Sequence, residues 1–171
     1  MKLQIFFILL ISIMIPHAYA LSEQKDQNLI ETTCKNTPNY RLCVTILRAN
    51  RRSATADVAG LGLIMVDAVK AKTKEALSAV NKLIHSHDRK LSEAAQQCVD
   101  AYNGVLKGDV PEAVEALTKG DPKFAENGMA DAVVEADSCD SAFETRSPLS
   151  GMNKALRDRA VVARAIIRNL L

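Results

Sequence analysis

The sequence contains no tryptophan and few other aromatic residues, with 3 Tyr and 4 Phe among 171 residues. Its core must therefore be built from Leu, Ile, Val, Ala and Met, which suits packed helices better than sheets. Proline and glycine are also scarce, at 5 and 7 residues, and they lie between long segments with helical periodicity. No segment shows the alternation of period two that is typical of a strand. We therefore expect an all-α fold.

Long apolar runs are absent apart from one at the N-terminus. Residues 1–20 carry a single positive charge at Lys2, a nearly unbroken apolar run from Leu3 to Ile15, and the small-x-small end Ala18-Tyr19-Ala20. This pattern is typical of a secretory signal peptide, and the run is shorter than the ~20 residues that a membrane-spanning helix needs. We expect a secreted mature protein without a membrane span.

The chain also lacks an excess of charge of one sign. It has 22 Lys+Arg and 20 Asp+Glu, and removal of residues 1–20 takes away only Lys2, which leaves a net charge of +1. Basic and acidic residues alternate along the chain, as they do on solvated helix faces, whereas a nucleic-acid binder would show clustered basic residues. Nucleic acid is therefore not an expected partner.

Signals for catalysis or metal binding are missing as well. There is no Gly-x-Ser-x-Gly elbow, no glycine-rich phosphate loop and no Cys-x-x-Cys pair, and His85 and His87 are far in sequence from any cysteine. We interpret the two histidines as residues at a helix end. The acidic pairs Glu112 with Glu115 and Asp131 with Glu135 are spaced like solvated helix surface. We expect no enzymatic activity, metal or cofactor.

Apolar residues recur at helical spacing in six segments of the mature chain. They predict a short helical hairpin in domain 21–53 and an up-down-up-down four-helix bundle in domain 54–171. A basic linker at 51–55 joins the two parts, and the second bundle helix is kinked near Pro111 rather than ended. The predicted helices are 28–37 and 40–49 in the hairpin, then about 57–86, 91–120, 123–143 and 152–170 in the bundle.

Four cysteines lie in the mature part, and an even count on a secretory route predicts disulfides. They are Cys34, Cys43, Cys98 and Cys139. Three pairings are formally possible. The first two cysteines flank the turn at Pro38, and the last two flank the turn at Gly120. Antiparallel helices would bring each pair level, which favours bridges between Cys34 and Cys43 and between Cys98 and Cys139.

One connection breaks a local rule. Gly120, Asp121 and Pro122 have the order of a helix stop, an N-cap and the first residue of a new helix. Lys123 follows in the first turn, where the helix dipole disfavours a cation, and Phe124 falls in a connection that should be exposed. Such a conflict without local gain is expected at a functional site. The alternative is that Phe124 caps the bundle core while Lys123 covers it.

Residues around the cysteines form a further pattern. They are Glu31-Thr32-Thr33-Cys34, Thr37-Pro38, Cys43, Leu47, Leu91, Cys98, Tyr102, Leu106, Cys139, Phe143 and Arg168-Asn169-Leu170-Leu171. The pattern covers essentially the whole mature chain and resembles that of the plant invertase and pectin methylesterase inhibitor family. The resemblance implies a helical hairpin attached to a four-helix bundle, with each bridge joining consecutive cysteines. It also implies that the protein inhibits an enzyme.

Two target enzymes compete within that family. Residues 115–126 are similar to those of one cell-wall invertase inhibitor of the family, whose Pro-Lys-Phe motif enters the invertase active site. Pectin methylesterase inhibitors usually carry a Trp and a Ser-Ala-Ala run in the third bundle helix, and a Thr before the last cysteine. This chain has no Trp, reads Met129-Ala130-Asp131-Ala132-Val133 in that helix and has Ser138 before the cysteine. These departures favour invertase.

The resemblance thus implies a secreted inhibitor of acid invertase that acts as a competitive plug. Its target-binding residues would be Asp121, Pro122, Lys123 and Phe124. We expect a monomer in the cell wall, with the vacuole as the alternative compartment. Inhibition of pectin methylesterase is the alternative function, and a non-inhibitory extracellular bundle with a signalling or storage role is a second alternative.

Overall fold

A computed structural model describes residues 28–171, and within this range the chain forms helices and no strands. The predicted signal peptide at 1–20 lies outside the described residues. The all-α prediction is confirmed. The helices are α1 at 28–35, α2 Tyr40–Ala49, a 3-10 turn Arg51–Thr55, α3 Val58–Val80, α4 Arg89–Gly104, a π-helical turn Val105–Asp109, α5 Val110–Lys119, α6 Pro122–Ser141 and α7 Ser150–Arg168.

Helices α1 and α2 form the predicted hairpin. A disulfide joins Cys34 to Cys43 with the two Cα atoms 5.6 Å apart, which confirms the first predicted bridge. The Asn39 side chain starts α2 by accepting a hydrogen bond from the Leu42 amide. Both cysteines and Leu47 are fully buried and belong to the same core as the bundle residues. The hairpin is therefore packed onto the bundle, while the domain boundary at 53/54 stays a prediction.

The first bundle helix is shorter than predicted. α3 ends at Val80 instead of continuing to residue 86, because i to i−3 hydrogen bonds such as that from the Leu83 amide to the Val80 carbonyl tighten the chain into turns. His85 and His87 consequently lie in the connection beyond the helix, and their interpretation as helix-end residues is wrong. Asp88 caps α4 by accepting from the amides that follow it.

The second bundle helix continues past Pro111, as predicted, and does not end there. The helical path continues from α4 through a π-helical turn, Val105–Asp109, into α5. Pro111 lies in the first turn of α5 and has no N–H to donate to the preceding turn, so a local change of helical pitch accommodates it. α6 packs against α5 and α7, and α3 packs against α7.

A disulfide and a buried polar network connect three of the bundle helices, α4, α6 and α7. The predicted disulfide between Cys98 of α4 and Cys139 of α6 is present. Next to it, the Tyr102 hydroxyl donates to Asn153 Oδ1 at 2.5 Å, and Asn153 Nδ2 donates to Asp140 Oδ1 at 2.7 Å. Burial raises the pKa of Tyr102. None of the helices in residues 28–171 is both long and apolar enough to cross a membrane.

Candidate functional site

The turn between α5 and α6 has a rigid backbone. Gly120 adopts φ 77°, a left-handed conformation that favours glycine. The Asp121 amide donates to the Ala116 carbonyl at 2.8 Å, and the Gly120 amide donates to the Leu117 carbonyl at 3.4 Å. This pair of bonds is the Schellman arrangement that closes a helix C-terminus. Pro122 then begins α6 with its φ fixed by the ring.

Asp121 occupies the N-cap position of α6, but its side chain does not cap the helix as predicted. Within the described part of the chain its side chain makes no capping hydrogen bond to the first turn of the helix. Its backbone φ of −115° and ψ of 72° lie outside the usual extended range of a side-chain cap. The exposed carboxylate instead lies beside Phe124 at a shallow groove.

Lys123 and Phe124 project from the first turn of α6. The Lys123 side chain is 62% exposed and Phe124 is 54% exposed. Phe124 borders the groove that α5 forms with this turn, next to Ala116 and Lys119. The alternative in which Phe124 caps the bundle core is therefore wrong. Its exposure is as expected, but the residue lies in the first turn of α6 and not in the connection.

The cation in the first turn has a local partner, which the sequence reasoning missed. Lys123 Nζ donates to Glu126 Oε2 at 2.7 Å, one turn further along α6. Glu126 is only 3% exposed, and its other oxygen, Oε1, accepts from Arg168 Nε at 2.6 Å and from Arg164 Nε at 3.2 Å. The expected absence of local gain at Lys123 is thus wrong. A Lys-x-x-Glu spacing was the available signal, but nothing in it showed that two α7 arginines would meet the same carboxylate.

These three cations determine the charge of Glu126. Hydrogen bonds from Lys123 and Arg168, with a further one from Arg164, lower the pKa of Glu126 to about 2 against the opposing effect of burial. The carboxylate is covered by long side chains that are themselves partly in water, at 62%, 55% and 38% exposure. Glu126 is therefore ionised at any physiological pH, and the cluster carries a net positive charge toward solvent.

A second carboxylate cluster lies where the π-helical turn meets α6. Asp109 Oδ2 is buried and has no hydrogen-bond partner among residues 28–171. Burial, followed by the charges of Asp131, Glu135 and Glu112, raises the pKa of Asp109 to about 6. Burial also raises the pKa of Glu135, so its interpretation as solvated surface is wrong, whereas Glu112 and Asp131 are exposed as predicted. No group of acidic, His or Cys side chains in the described range is arranged to hold a metal ion.

The sequence of the described residues matches a known protein family. Residues 28–171 match the family described as plant invertase/pectin methylesterase inhibitor. The chain belongs to this family. Its members are inhibitors of enzymes and not enzymes themselves, which confirms the prediction that the protein is not a catalyst.

Three relatives show the range of the family. The chain is 41% identical over 139 residues to a cell wall/vacuolar inhibitor of fructosidase 1 from Arabidopsis thaliana, an alignment that covers 81% of the chain and 67% of the relative. It is 28% identical to a pectinesterase inhibitor from Actinidia deliciosa, over 80% of the chain and 74% of the relative. A putative invertase inhibitor from Platanus acerifolia is 26% identical, with 84% and 86% covered.

Solved structures support the fold. A pectin methylesterase inhibitor from Arabidopsis thaliana superposes with a TM-score of 0.63 at 24% identity, covering 83% of this chain and 95% of that one. A mutant form of an Arabidopsis pectin methylesterase inhibitor gives a TM-score of 0.69 at 23% identity, with 81% and 95% covered. At these identities the likeness establishes the helical fold and carries no choice between targets.

Proposed function

We propose that this protein is a secreted inhibitor of a plant acid invertase, and that it binds the enzyme as a competitive plug through Asp121, Pro122, Lys123 and Phe124. Membership of the inhibitor family supports the general role. The choice of invertase rests on 41% identity to a relative named as an inhibitor of fructosidase, against 28% to one named as a pectinesterase inhibitor.

The observation that carries the proposal is the pairing of an exposed cation with an exposed aromatic ring on a rigid helix start. Lys123 and Phe124 are adjacent and more than half exposed, although neither is needed to cover the core. Gly120 and Pro122 fix the backbone that presents them. A rigid binding element loses little conformational freedom on association, which increases affinity.

The chemistry of the proposed target matches these two side chains. A glycoside hydrolase such as invertase holds a carboxylate nucleophile and a carboxylic acid/base in a pocket shaped for a sugar. The Lys123 ammonium would pair with those carboxylates, since charge-assisted hydrogen bonds are the stronger class. Phe124 would contribute apolar contact beside the charge, as aromatic anchors do in protein interfaces. Sucrose could not bind while the pocket is filled.

The proposal also covers the secretion of the protein and its division into a hairpin and a bundle. Residues 1–20 would be removed as a signal peptide, and the proposed domain boundary lies at 53/54, with the hairpin before it and the bundle after it. The mature protein would act as a monomer in the cell wall or the vacuole, the two compartments named for its 41% identical relative.

A paired enzyme assay tests the proposal. The purified mature protein is titrated against an acid invertase and a pectin methylesterase at the same pH. We expect inhibition of invertase, competitive with sucrose, at concentrations that leave pectin methylesterase active. The opposite selectivity would support the pectin alternative, and inactivity of the folded protein in both assays would support a signalling or storage role.

A further inference from the structure

Glu126 divides its two oxygens between different helices. Oε1 accepts from Arg168 and Arg164 of α7, at 2.6 and 3.2 Å, whereas among residues 28–171 Oε2 accepts only from Lys123, at 2.7 Å. The two arginines therefore fix the position and the charge of the carboxylate whether or not Lys123 is bound to it. Glu126 is therefore held in place by the arginines as a hydrogen-bond acceptor for Lys123.

Lys123 is otherwise a flexible side chain. Its four-carbon stem has many rotamers, and ordering such a side chain at an interface opposes binding. The contact with Glu126 takes one of the three ammonium protons. The side chain stays 62% exposed, so the other two protons can reach a partner.

We propose that Glu126 is the positioning residue for Lys123: anchored by Arg164 and Arg168, it holds the ammonium in place while the two free protons bind the carboxylates of the target enzyme. This inference rests on the proposed function. Lys123 keeps its bond to Glu126 in the complex, so docking adds contacts and does not exchange one partner for another. The alternative role for Glu126 is purely structural, as an ion-pair tie between α6 and α7.

A double-mutant cycle separates the two roles. Glu126→Gln, Lys123→Ala and the combined variant are compared with wild type for inhibition constant, dissociation rate and melting temperature. Glu75→Gln is the matched control, because Glu75 pairs with Lys72 at the same i, i+3 spacing on α3. Glu126→Asp retains the negative charge and shortens the reach of the whole carboxylate by one methylene, which provides a second variant if Glu126→Gln folds poorly.

We expect Glu126→Gln and Glu126→Asp to dissociate roughly three- to tenfold faster than wild type, the range set by the freedom of one long side chain. In the Lys123→Ala background the same substitutions should change nothing. An equal effect in both backgrounds, or wild-type dissociation for both Glu126 variants, would overturn the inference and leave the plug intact. Wild-type inhibition by Lys123→Ala alone would instead remove the proposed function, and the inference with it.

Discussion

Two carboxylates of the bundle differ in how their surroundings set the pKa. Glu126 is almost fully buried, yet three cations lower its pKa to about 2. Asp109 is half-buried, one of its oxygens has no partner within residues 28–171, and burial, together with the charges of Asp131, Glu135 and Glu112, raises its pKa to about 6. At Glu126 three cations outweigh the effect of burial on the pKa, whereas at Asp109 burial and the neighbouring carboxylates act in the same direction.

The two clusters should also respond to pH in opposite directions. The pKa of Glu126 is lowered from 4.5, so its stabilisation is present above that value and is lost as the pH falls toward 2. The pKa of Asp109 is raised from 3.8, so its contribution is present below that value and is lost as the pH rises through 6. From these two groups the fold should be most stable at about pH 4–5, and neutral pH should weaken it through Asp109 and through Glu135, whose pKa burial also raises.

The largest effect on stability is expected from Glu126→Ala. This change leaves three neighbouring cations without their shared anion and removes the tie between α6 and α7. Because the arginines can turn to water, we expect a loss of about 2–3 kcal/mol at neutral pH, below the range for a fully buried pair. Urea unfolding measures it. Glu75→Ala, which removes an exposed ion pair, is the reference. A loss no greater than that of Glu75→Ala would show that the Glu126 cluster contributes no more to stability than a surface ion pair.

Gly128→Ala tests the close approach on which the Asp109 cluster depends. A Cβ at this position would lie 2.7 Å from the Asp109 carbonyl oxygen, which is backbone and cannot move without shifting the π-helical turn. We expect a loss of about 1–3 kcal/mol, typical of overpacking. Thermal melting checks it against Gly151→Ala, where an added Cβ meets no atom within 4 Å. Equal melting temperatures would mean that the π-helical turn can move away from α6 without a loss of stability.

Asp109→Asn should stabilise the protein, in contrast to the change at Glu126. The amide cannot ionise, so at pH 7.5 the cost of burying a charge and the repulsion from Asp131, Glu135 and Glu112 both disappear. We expect a gain of about 1–2 kcal/mol there, since solvent screens part of the shift, and no gain at pH 4, where Asp109 is already protonated. Melting curves at both pH values give the comparison. A gain that is the same at pH 4 would contradict the assigned pKa.

Phe124→Ala should have the smallest effect on stability. The ring is 54% exposed, so its truncation should change the free energy of unfolding by less than about 0.5 kcal/mol while it weakens inhibition. Melting temperature and inhibition constant are measured on the same preparation. A variant that melts early but inhibits normally would mean that the ring serves the fold.

Most of the fold could be predicted from the sequence because its signals are local. Helical periodicity indicated the hairpin and the bundle, and Pro111 indicated a local departure from regular α-helix, which the structure shows as a π-helical turn. The end of α3 was missed because Leu83 continues the apolar spacing beyond Val80, although the chain has already turned. Periodicity detects which face is apolar and does not detect where the helical hydrogen bonds stop.

The candidate site could be predicted only in part, for a related reason. The order of Gly120 and Pro122 indicated the helix stop and start, and the conflict at Lys123 marked the position. The partner of Lys123 depends on Arg164 and Arg168, about 40 residues further along the chain, which come together with Glu126 only in the folded bundle. Similarly, nothing in the spacing of Glu135 showed that its charge would act on the half-buried Asp109.

The most direct test of the account is inhibition of acid invertase by Lys123→Ala. If Lys123 pairs with active-site carboxylates, its removal should cost about 2–5 kcal/mol of binding, seen mainly as faster dissociation. Folding should hardly change, because Arg164 and Arg168 still neutralise Glu126. Lys154→Ala is the matched control, an exposed lysine paired with Asp158 on α7. Weak inhibition by Lys123→Ala with normal melting is the predicted result, and inhibition equal to wild type would contradict the active-site plug.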